Sequence, residues 1–422
     1  MTVNCTPSVL SGTIRAISSK SHAHRVLICA ALSQNNTKIY CNVMSKDIAA
    51  TVDCLKSIGT EIQVDGDIIT VIPNQFNKKS DLNCNESGST LRFLMPLVSV
   101  LGIDATFKGS DRLSERPFSP LKEEMEKKGV TFHTDNKFPL HLTGQLQSGE
   151  YEIAGNISSQ FITGLLMALP LLNGDSIIKV IPPVESKSYI DITISVLRQF
   201  GIEIEEKENL YIIKGNQKYI SPAEITVEGD WSNASFFLCA GALGEKGVTV
   251  TDLDINSPQG DKKILDILST MGADVTISGN EITVKKNQLK GVTVDASDIP
   301  DLVPIISVVA TACDGDTRII NAGRLRLKES DRIKSVIKML SSVGADAEEA
   351  DDGIIIHGGK VLTGGIVNGY NDHRIVMSAS VLSMLCEKDI VITDGNAVEK
   401  SYPDFWDCFN KMGGNANVIN DR

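Results

Sequence analysis

The chain has 422 residues, of which 42% are hydrophobic, and its 41 lysines and arginines against 53 aspartates and glutamates give a formal net charge of −12. This length predicts two or three domains, and the acidic balance argues against nucleic acid as a partner, since binding to phosphate backbones requires an excess of basic side chains. The longest apolar stretches, residues 161–172 and 302–313, are shorter than the roughly 20 residues that a membrane-spanning helix needs.

The first dozen residues and the cysteines indicate the compartment. Residues 1–12 show neither the basic region nor the apolar region of an export signal. The nine cysteines are scattered without a CxxC pair, which argues against a disulfide framework and against a zinc site built from thiolates. Cys29, Cys239 and Cys313 lie in apolar runs and are expected in the core. We therefore expect a cytoplasmic protein that does not bind membranes.

A single pattern recurs six times: the end of an apolar-periodic helix, a glycine, a short strand, a polar turn and a second strand. The six glycines are 70, 72, 71, 72 and 69 residues apart. They are Gly59, Gly129, Gly201, Gly272, Gly344 and Gly413. A glycine in that place predicts a left-handed helix cap, and the alternating residues after it predict half-buried strands. The period leaves room in each unit for two helices and about four strands.

The six units divide naturally as three plus three, with a boundary expected within residues 223–234. This division predicts two domains of similar α+β build. The alternative is chance recurrence of a common helix–glycine–strand pattern, which five near-equal spacings make hard to sustain.

The first candidate site is a polar, cationic loop that runs into an apolar helix predicted to begin near Ala23. Lys20, Ser21 and Arg25 would lie together at the N-terminal end of that helix, where backbone N–H groups and the helix dipole favour anions. The alternative is a solvated cap in which Ser21 closes the helix. The two nearby histidines are two residues apart, which is not the spacing of a helical metal pair.

Two further loops of the first half show a similar pattern. Gly88 precedes a helix that carries Arg92, and a glycine there lets the backbone approach a ligand closely. The loop lacks the GxxxxGK[ST] sequence of nucleotide-binding phosphate loops. Arg116 precedes a proline, where extended backbone can hold a guanidinium for carboxylate or phosphate. Helix capping and an ordinary surface arginine are the alternatives.

Hydroxyl groups mark the last two loops of the first half. Ser158, Ser159 and Gln160 precede a helix that is apolar on nearly all sides, so these groups can cap a buried helix, bind an anion or do both. Ser186 and Tyr189 fit a helix cap and a core aromatic, and by themselves they favour no function.

The second half places charged residues before apolar helices. Asp301 stands at the start of one, where N-capping is the alternative to a catalytic role. Residues 324–332 combine several cations, among them Lys328 and Arg332, with Glu329. Dense charge usually marks a solvated face. A mixture of cations with a carboxylate before a helix is also typical of a phosphate site equipped with an acid or base.

Taken together, these loops predict one site. Cations and hydroxyls recur before helices in both halves, and Arg374 and Lys400 lie on the loops before the last apolar helices. If those helix ends face one another, they concentrate positive charge within an acidic protein and attract a small polyanionic substrate. Asp301 and Glu329 are then the carboxylates placed for proton transfer, and closure of two domains would exclude water.

Nine ordered motifs cover essentially the whole chain: SKSHAHR, ESGSTLRFLMPL, SERPFSPL, SSQFITGLLMALP, SKSYIDIT, IPDLVP, LKESDRI, YNDHR and EKSYPDF. Through these motifs the chain resembles the 5-enolpyruvylshikimate-3-phosphate (EPSP) synthase family. The resemblance implies the enolpyruvyl transferase fold, an α+β (α/β) protein with two similar domains. Each has three β-α-β-α-β-β repeats around a pseudo-threefold axis, an inside-out α/β barrel. The implied domains are residues 14–228 and residues 1–13 plus 229–422, with the active site in the cleft between them.

The resemblance also implies a reaction and its residues. The family transfers the enolpyruvyl group of phosphoenolpyruvate to the 5-hydroxyl of shikimate 3-phosphate and releases phosphate, on the route to chorismate and the aromatic amino acids. The implied ligands of shikimate 3-phosphate are Lys20, Ser21, Arg25, Ser158, Ser159, Gln160, Ser186, Tyr189, Asp301 and Lys328. The implied ligands of phosphoenolpyruvate are Lys20, Gly88, Arg116, Gln160, Arg332, Arg374 and Lys400.

The implied chemistry is addition followed by elimination through a tetrahedral ketal. Asp301 takes the proton of the 5-hydroxyl, Glu329 protonates the methylene carbon and later removes a proton, and Lys20 assists the departing phosphate. Fixed cations supply positioning and electrostatic stabilisation. The resemblance implies no metal and no organic cofactor, and we expect a monomer whose partners are its two small substrates.

Three positions depart from the family pattern. Glu86 stands where many members have asparagine, Ser89 where threonine is common, and Arg324 where asparagine is often found. An acid at position 86 would repel an anionic ligand unless it pairs with a cation. Glyphosate competes for the phosphoenolpyruvate site in this family, and Gly88 lies in the segment that governs its fit, so sensitivity to glyphosate stays open.

Three other functions remain as alternatives. The UDP-N-acetylglucosamine enolpyruvyl transferases share the fold and the donor, but they have a Lys-Asn pair where Lys20 and Ser21 stand here. An RNA-terminal phosphate cyclase is built from related modules, and the charge of −12 argues against it. A non-catalytic scaffold that binds polyanions would not need both Asp301 and Glu329.

Overall fold

The computed structural model describes residues 1–134 and 137–419, which form 24 β-strands, 13 α-helices and five short 3-10 helices. The strands are β1 (Thr2–Cys5), β2 (Gly12–Arg15), β3 (Thr37–Tyr40), β4 (Glu61–Asp65), β5 (Ile68–Ile72), β6 (Lys79–Asn83), β7 (Asp104–Lys108), β8 (Val130–Phe132), β9 (Leu140–Gly144), β10 (Glu150–Ala154), β11 (Ser176–Ile181), β12 (Ile204–Lys207), β13 (Leu210–Ile213), β14 (Glu224–Thr226), β15 (Val248–Thr251), β16 (Asp274–Ser278), β17 (Glu281–Lys285), β18 (Thr293–Asp295), β19 (Asp316–Ile320), β20 (Asp346–Ala350), β21 (Gly353–His357), β22 (Gly365–Val367), β23 (Ile390–Ile392) and β24 (Ala416–Ile419).

The α-helices are α1 (Lys20–Leu32), α2 (Lys46–Ser57), α3 (Gly88–Val100), α4 (Asp111–Glu115), α5 (Leu121–Lys127), α6 (Ser159–Ala168), α7 (Lys187–Gln199), α8 (Trp231–Leu243), α9 (Ile264–Met271), α10 (Val303–Thr311), α11 (Arg332–Ser341), α12 (His373–Leu382) and α13 (Phe405–Lys411). The 3-10 helices are Leu169–Leu171, Gly260–Lys263, Gly323–Leu327, Ser383–Leu385 and Gly395–Lys400. No helix in the described ranges is both long and apolar enough to cross a membrane.

The chain divides into two compact units, which we call the first and second unit. The first unit contains Met1–Ile17 and the chain from Glu228 onward, and the second unit contains Ser18–Val227. The chain leaves the first unit after residue 17, not after residue 13, because β2 pairs in parallel with β15 from Gly12↔Val248 to Arg15↔Thr251. The second unit is thus an insertion between β2 and α8.

Each unit contains three four-stranded sheets of one topology among the described residues. In every sheet a parallel pair is followed by two antiparallel pairs, as in the order β6-β7-β9-β8. The other sheets of the second unit are β14-β3-β5-β4 and β10-β11-β13-β12, and those of the first unit are β2-β15-β17-β16, β18-β19-β21-β20 and β22-β23-β1-β24. The predicted sixfold repeat and mixed α/β fold are confirmed. No sheet of the described chain closes on itself, so the predicted inside-out barrel consists of separate small sheets.

The first helix of each repeat is buried and forms the centre of its unit. All 13 residues of α8, all nine of α10 and all ten of α12 are buried in the first unit, and the three helices contact one another. In the second unit α3 buries 12 of its 13 residues and packs against α6. Each large apolar side chain removed from water in this way stabilises the fold by roughly 1.5–3 kcal/mol. Such burial fixes the helix N-termini, where the polar loops are attached.

The six glycines of the repeat all adopt the left-handed backbone that the sequence predicts. Their φ angles are 115°, 93°, 73°, 106°, 89° and 100° in chain order. A side chain at such an angle is strained. Glycine therefore ends the second helix of each repeat and turns the chain into the following strand.

Candidate active site

Three buried helices of the second unit begin with serine caps. The hydroxyls of Ser19, Ser87 and Ser158 accept hydrogen bonds from backbone N–H groups in the first turns of α1, α3 and α6, at 3.4, 3.2 and 3.3 Å. The cap of α1 is Ser19, not Ser21 as the capping alternative supposed, because the helix already begins at Lys20. Ser21 therefore lies in the first helical turn. The N-terminal ends of these three helices, where helix dipoles favour negative charge, therefore begin at the polar loops.

Gly88 lies between two guanidinium groups. A Cβ atom at this position would stand 2.6 Å from Nη1 of Arg92 and 2.7 Å from Nη1 of Arg116. Arg92 is buried and donates 3.0 Å to Oε1 of Gln160 and 3.1 Å to the carbonyl of Pro117. Two cations that converge on a helix N-terminus next to a bare backbone suit a phosphate or carboxylate.

Gln160 joins two of the capped helices. Its side-chain oxygen accepts from Arg92, and its Nε2 donates 3.0 Å to the hydroxyl of Ser89. The amide thus spans from the start of α6 to the start of α3. Arg92 brings together three residues predicted for phosphoenolpyruvate, which are Gly88, Arg116 and Gln160. Arg92 itself was predicted on the helix but not in the site.

Lys20 is held by a carboxylate of the next helix. Its ammonium lies 2.8 Å from Oδ2 of Asp47, and both side chains are largely buried. Asp47 was not among the site residues predicted from the sequence. Its position at the start of the second helix of its repeat, where other repeats carry the candidate residues, was the available signal.

Arg25 is bound mainly to the protein itself. Its guanidinium donates to the carbonyls of Ser21 at 2.6 Å and Tyr189 at 3.0 Å, and to the hydroxyls of Thr193 at 2.8 Å and Thr163 at 3.3 Å. Burial lowers its pKa to about 10. These four bonds join α1, α6 and α7 and leave at most one of five N–H donors for a substrate.

Ser186 stands in an unusual backbone conformation at the start of α7. It is buried and left-handed, with φ 53° and ψ 43°. Such angles are uncommon for a residue other than glycine and often mark functional sites. Its carbonyl accepts 3.1 Å from the backbone N–H of Tyr189, which links it to Arg25.

In the first unit, aspartates stand where the second unit has serine caps. Asp230 caps α8, Asp372 caps α12, and Asp301 lies just before α10. Successive members of this set are 71 residues apart, so the repeat period itself was a signal for Asp230 and Asp372, which were not among the site residues predicted from the sequence. The N-termini of this unit therefore carry negative charge, which cations from the neighbouring loops compensate.

Arg332 is almost fully buried among three carboxylates. Its Nε donates 2.8 Å to Asp372, its Nη1 donates 2.6 Å to Asp301, and its Nη2 donates 2.7 Å to Glu329. Although burial works in the opposite direction, the charges of these carboxylates hold the pKa of Arg332 well above its usual value. Arg332 thus fixes both proposed proton-transfer groups, and most of its donors are committed to them.

Asp301 has three cationic neighbours. Its Oδ2 accepts 3.3 Å from Arg374, and its Oδ1 lies 3.6 Å from the ammonium of Lys328 in addition to Arg332. Burial alone would raise its pKa, but the charges of Arg374, Lys328 and Arg332 hold the pKa well below the usual range. Burial lowers the pKa of Lys328 to about 8, against the attraction of Asp301. Asp301 is therefore ionised at neutral pH, while Lys328 titrates just above it.

Arg374 and Lys400 lie around the start of α12. Arg374 also donates 3.4 Å to the carbonyl of Ser232, and the ammonium of Lys400 donates 2.5 Å to the carbonyl of Asn371. Both side chains are buried. Asp301, Lys328, Glu329, Arg332 and Arg374 thus form one connected cluster in the first unit, with Lys400 beside the capped end of α12.

Arg324, one of the departures from the family pattern, adds a cation to this unit. It lies in the 3-10 helix before Lys328, donates 3.4 Å to the carbonyl of Ser297, and lowers the pKa of Lys328 by its charge, after burial. Glu86 immediately precedes the cap of α3, beside the loop of Gly88.

The two units present different chemistry. The second unit offers cations, hydroxyls and helix N-termini, which suit phosphate and carboxylate groups, and the first unit adds two carboxylates on a shared guanidinium. Within residues 1–134 and 137–419, no three His, Cys, Asp or Glu side chains are grouped to hold a metal ion. The second unit by itself therefore suits the binding of phosphate or carboxylate groups, and the first unit suits proton transfer.

Known proteins resemble this chain in both sequence and fold. A family model described as EPSP synthase (3-phosphoshikimate 1-carboxyvinyltransferase) matches residues 5–409. The 3-phosphoshikimate 1-carboxyvinyltransferase of Clostridium novyi (strain NT) is 44% identical over 97% of this chain and 96% of the relative. That of Clostridioides difficile (strain 630) is 41% identical over 98% of both.

Solved structures extend the similarity to the fold. An EPSP synthase from Acinetobacter baumannii superimposes with a TM-score of 0.83 at 26% identity, covering 99% of this chain and 100% of that one. The enolpyruvyl transferase NikO from Streptomyces tendae has a TM-score of 0.83 at 18% identity, over 100% and 99% of the two chains, and shows a shared fold.

Proposed function

The chain belongs to the EPSP synthase family, and from this premise we propose that its two sets of site residues act together on shikimate 3-phosphate and phosphoenolpyruvate. The enzyme transfers the enolpyruvyl group to the 5-hydroxyl of shikimate 3-phosphate and releases phosphate. This step lies on the route to chorismate and the aromatic amino acids. The observation that carries the proposed residue roles is the pair Asp301 and Glu329 on one buried guanidinium.

In the addition step, Asp301 accepts the proton of the 5-hydroxyl while the hydroxyl oxygen bonds to C2 of phosphoenolpyruvate. Glu329 gives a proton to C3, which becomes a methyl group, and a tetrahedral ketal results. The contact of Arg332 with both carboxylates supports these roles, because it holds the two groups in one fixed arrangement.

In the elimination step, Glu329 takes a proton back from the methyl group, the C2–C3 double bond reforms and the bond from C2 to the phosphate oxygen breaks. The proton that Asp301 accepted from the 5-hydroxyl leaves with the phosphate. In this proposal the ammonium of Lys20 stabilises the charge of the leaving phosphate. Asp47 supports this role by holding the ammonium of Lys20 at 2.8 Å.

The binding residues divide by substrate. Gly88, Arg92, Arg116, Gln160, Arg374 and Lys400 bind phosphoenolpyruvate, together with Lys20 and the remaining donor of Arg332. Ser21, Ser158, Ser159, Ser186, Tyr189 and Lys328 bind shikimate 3-phosphate, with Arg25 chiefly holding Ser21 and Tyr189 in place. Arg92 is added here because it links Gly88 to Gln160.

The experiment that tests the function is phosphate release from phosphoenolpyruvate by the purified protein, with and without shikimate 3-phosphate, with the organic product identified by mass. Release that depends on shikimate 3-phosphate and gives an enolpyruvyl ether is the expected result. Release with UDP-N-acetylglucosamine in place of shikimate 3-phosphate would assign the other enolpyruvyl transfer.

We also propose that the substrates draw the two units together, since the proposed ligands of each substrate come from both units. Small-angle X-ray scattering should show a smaller radius of gyration with shikimate 3-phosphate and an unreactive donor analogue than without them. An unchanged radius would contradict closure.

We further propose a cytoplasmic monomer that binds neither nucleic acid nor membranes. The net charge of −12 supports the expectation about nucleic acid. Lysine and arginine side chains stabilise the negative charges of the substrates in this proposal, so we propose a reaction without a metal or organic cofactor. Turnover that persists undiminished in excess chelator is the expected result, measured by the same phosphate release.

A further inference from the structure

A further buried carboxyl group, Asp261, lies in the first unit beside the cluster of Asp301. It is 4% exposed and belongs to the 3-10 helix Gly260–Lys263, which precedes α9 and packs against α8. Its carboxyl group forms a side-chain hydrogen bond with Ser232. A buried carboxyl group is costly, so its retention requires a reason.

The segment that carries Asp261 is hydrogen-bonded to the start of α8. Gln259 accepts 3.1 Å from the backbone N–H of Trp231 and donates 2.8 Å to the carbonyl of Gly229. Arg374 donates to the carbonyl of Ser232 at 3.4 Å from α12. Asp261 and Arg374 therefore approach the same helical turn from two different elements.

Four groups face the carboxyl of Asp261. They are Asp230 at the cap of α8, Ser232 on α8, Arg374 on α12 and Asp301 before α10. Burial, together with the charges of Asp301 and Asp230, raises the pKa of Asp261 to about 7, although Arg374 and Ser232 act to lower it. The carboxyl therefore changes charge near neutral pH.

The low pKa of Asp301 makes it a weak base, and the negative charge of Asp261 can raise that pKa. Three cations hold its pKa well below the usual range, and a carboxylate that holds a proton so weakly is a poor base at neutral pH. A second negative charge near the same cations makes ionised Asp301 less stable and so strengthens it as a base.

We infer that Asp261 is a positioning residue: its ionised carboxylate partly neutralises the charge of Arg374 and thereby raises the basicity of Asp301. This inference rests on the proposed role of Asp301 as the base that accepts the hydroxyl proton. Asp261 itself touches no reacting atom and exchanges no proton with the substrate. Arg374 is shared between the two carboxylates, since its Nη2 contacts Asp301 and its charge acts on Asp261.

The first test compares Asp261→Asn with Asp266→Asn. Asp266 is an exposed residue of α9, so its variant removes an equal charge outside the cluster. We expect kcat of the wild type to rise between about pH 6 and 8. We expect Asp261→Asn to lower kcat about tenfold, to leave KM for shikimate 3-phosphate within about twofold, and to abolish that rise. Asp266→Asn should match the wild type. A kcat and pH profile of Asp261→Asn equal to the wild type would overturn the inference.

A second measurement needs no turnover. The carboxyl carbon of Asp261, assigned through its bonded side-chain and backbone nuclei, is titrated by carbon-13 NMR in the wild type and in Asp301→Asn. Because coupling between two groups is reciprocal, we expect the midpoint of Asp261 to fall by about one pH unit or more when the charge of Asp301 is removed. An unchanged midpoint would refute the coupling even if Asp261→Asn failed to fold. An inactive wild type with a shifted midpoint would reject the proposed reaction and keep the coupling.

Discussion

At the scale of single residues, burial determines the pH at which Lys328 loses its charge. The pKa of this lysine is lowered to about 8, so its ammonium is charged below that pH and neutral above it. We expect KM for shikimate 3-phosphate to rise about tenfold for each pH unit above about 8, because a neutral amine cannot pair with a phosphate. Initial rates at several pH values measure this.

Lys328→Arg is the matched variant for this prediction. An arginine stays charged over the whole range, so its KM should stay flat where that of the wild type rises, even if its absolute value is higher. An equal alkaline rise in both proteins would assign the titration to another group.

Gly88 is the position where one methyl group should disturb donor binding without unfolding the protein. The Cβ of Gly88→Ala would meet the guanidinium ends of Arg92 and Arg116 at 2.6 and 2.7 Å, and such ends can move. We expect KM for phosphoenolpyruvate to rise about tenfold, because two charge-assisted contacts lose their geometry. KM for shikimate 3-phosphate and the midpoint of thermal unfolding should change little. A lowered unfolding midpoint would indicate that the methyl group displaces the backbone instead.

At the scale of elements, the N-terminus of α12 depends on a buried ion pair. Asp372 is fully buried, caps α12 and accepts from Arg332, whereas Asp331 caps α11 and is more exposed. Asparagine caps a helix about as well as aspartate, so Asp372→Asn and Asp331→Asn differ mainly in the loss of the buried charge. We expect Asp372→Asn to cost roughly 3 kcal/mol and Asp331→Asn less than about 0.5 kcal/mol. Thermal unfolding midpoints, compared side by side, measure the difference. Equal shifts would mean that Asp301 and Glu329 suffice to neutralise Arg332.

The glycines that end the repeat helices are not equally sensitive. A Cβ at Gly272 would lie 2.4 Å from the carbonyl oxygen of Gln288, whereas a Cβ at Gly344 meets nothing nearer than 3.5 Å. Both have positive φ, so each alanine variant should be destabilised by about 1 kcal/mol. Gly272→Ala should lose roughly 1 to 2 kcal/mol more, because its backbone must shift. Unfolding midpoints that fall in the reverse order would contradict the geometry.

At the scale of the whole molecule, the second unit should fold alone. Its three sheets draw every strand from β3 to β14 and none from the first unit. We expect the fragment 18–227 to unfold cooperatively, as circular dichroism would show, and to give no turnover because Asp301 and Glu329 lie in the first unit. A fragment without cooperative unfolding would mean that the second unit requires the first.

Local signals predicted much of this protein. The period of the six glycines gave the repeats, because a left-handed helix cap is a property of a few neighbouring residues. The motifs placed Lys20, Gly88, Asp301, Glu329 and Arg374 beside helix N-termini for the same reason. The start of α1 was predicted three residues late, because the capping serine, Ser19, was not distinguished from Ser21.

The sequence by itself determined the repeat, the family and the loops that carry the site. Only the tertiary structure decided which charges meet, since Arg332 and Asp372 are 40 residues apart and Arg25 and Thr193 are 168 apart. It also decided which groups change charge near neutral pH, because the shifts at Lys328 and Asp261 come first from burial. Burial depends on the packing of distant helices, which no local pattern of residues encodes.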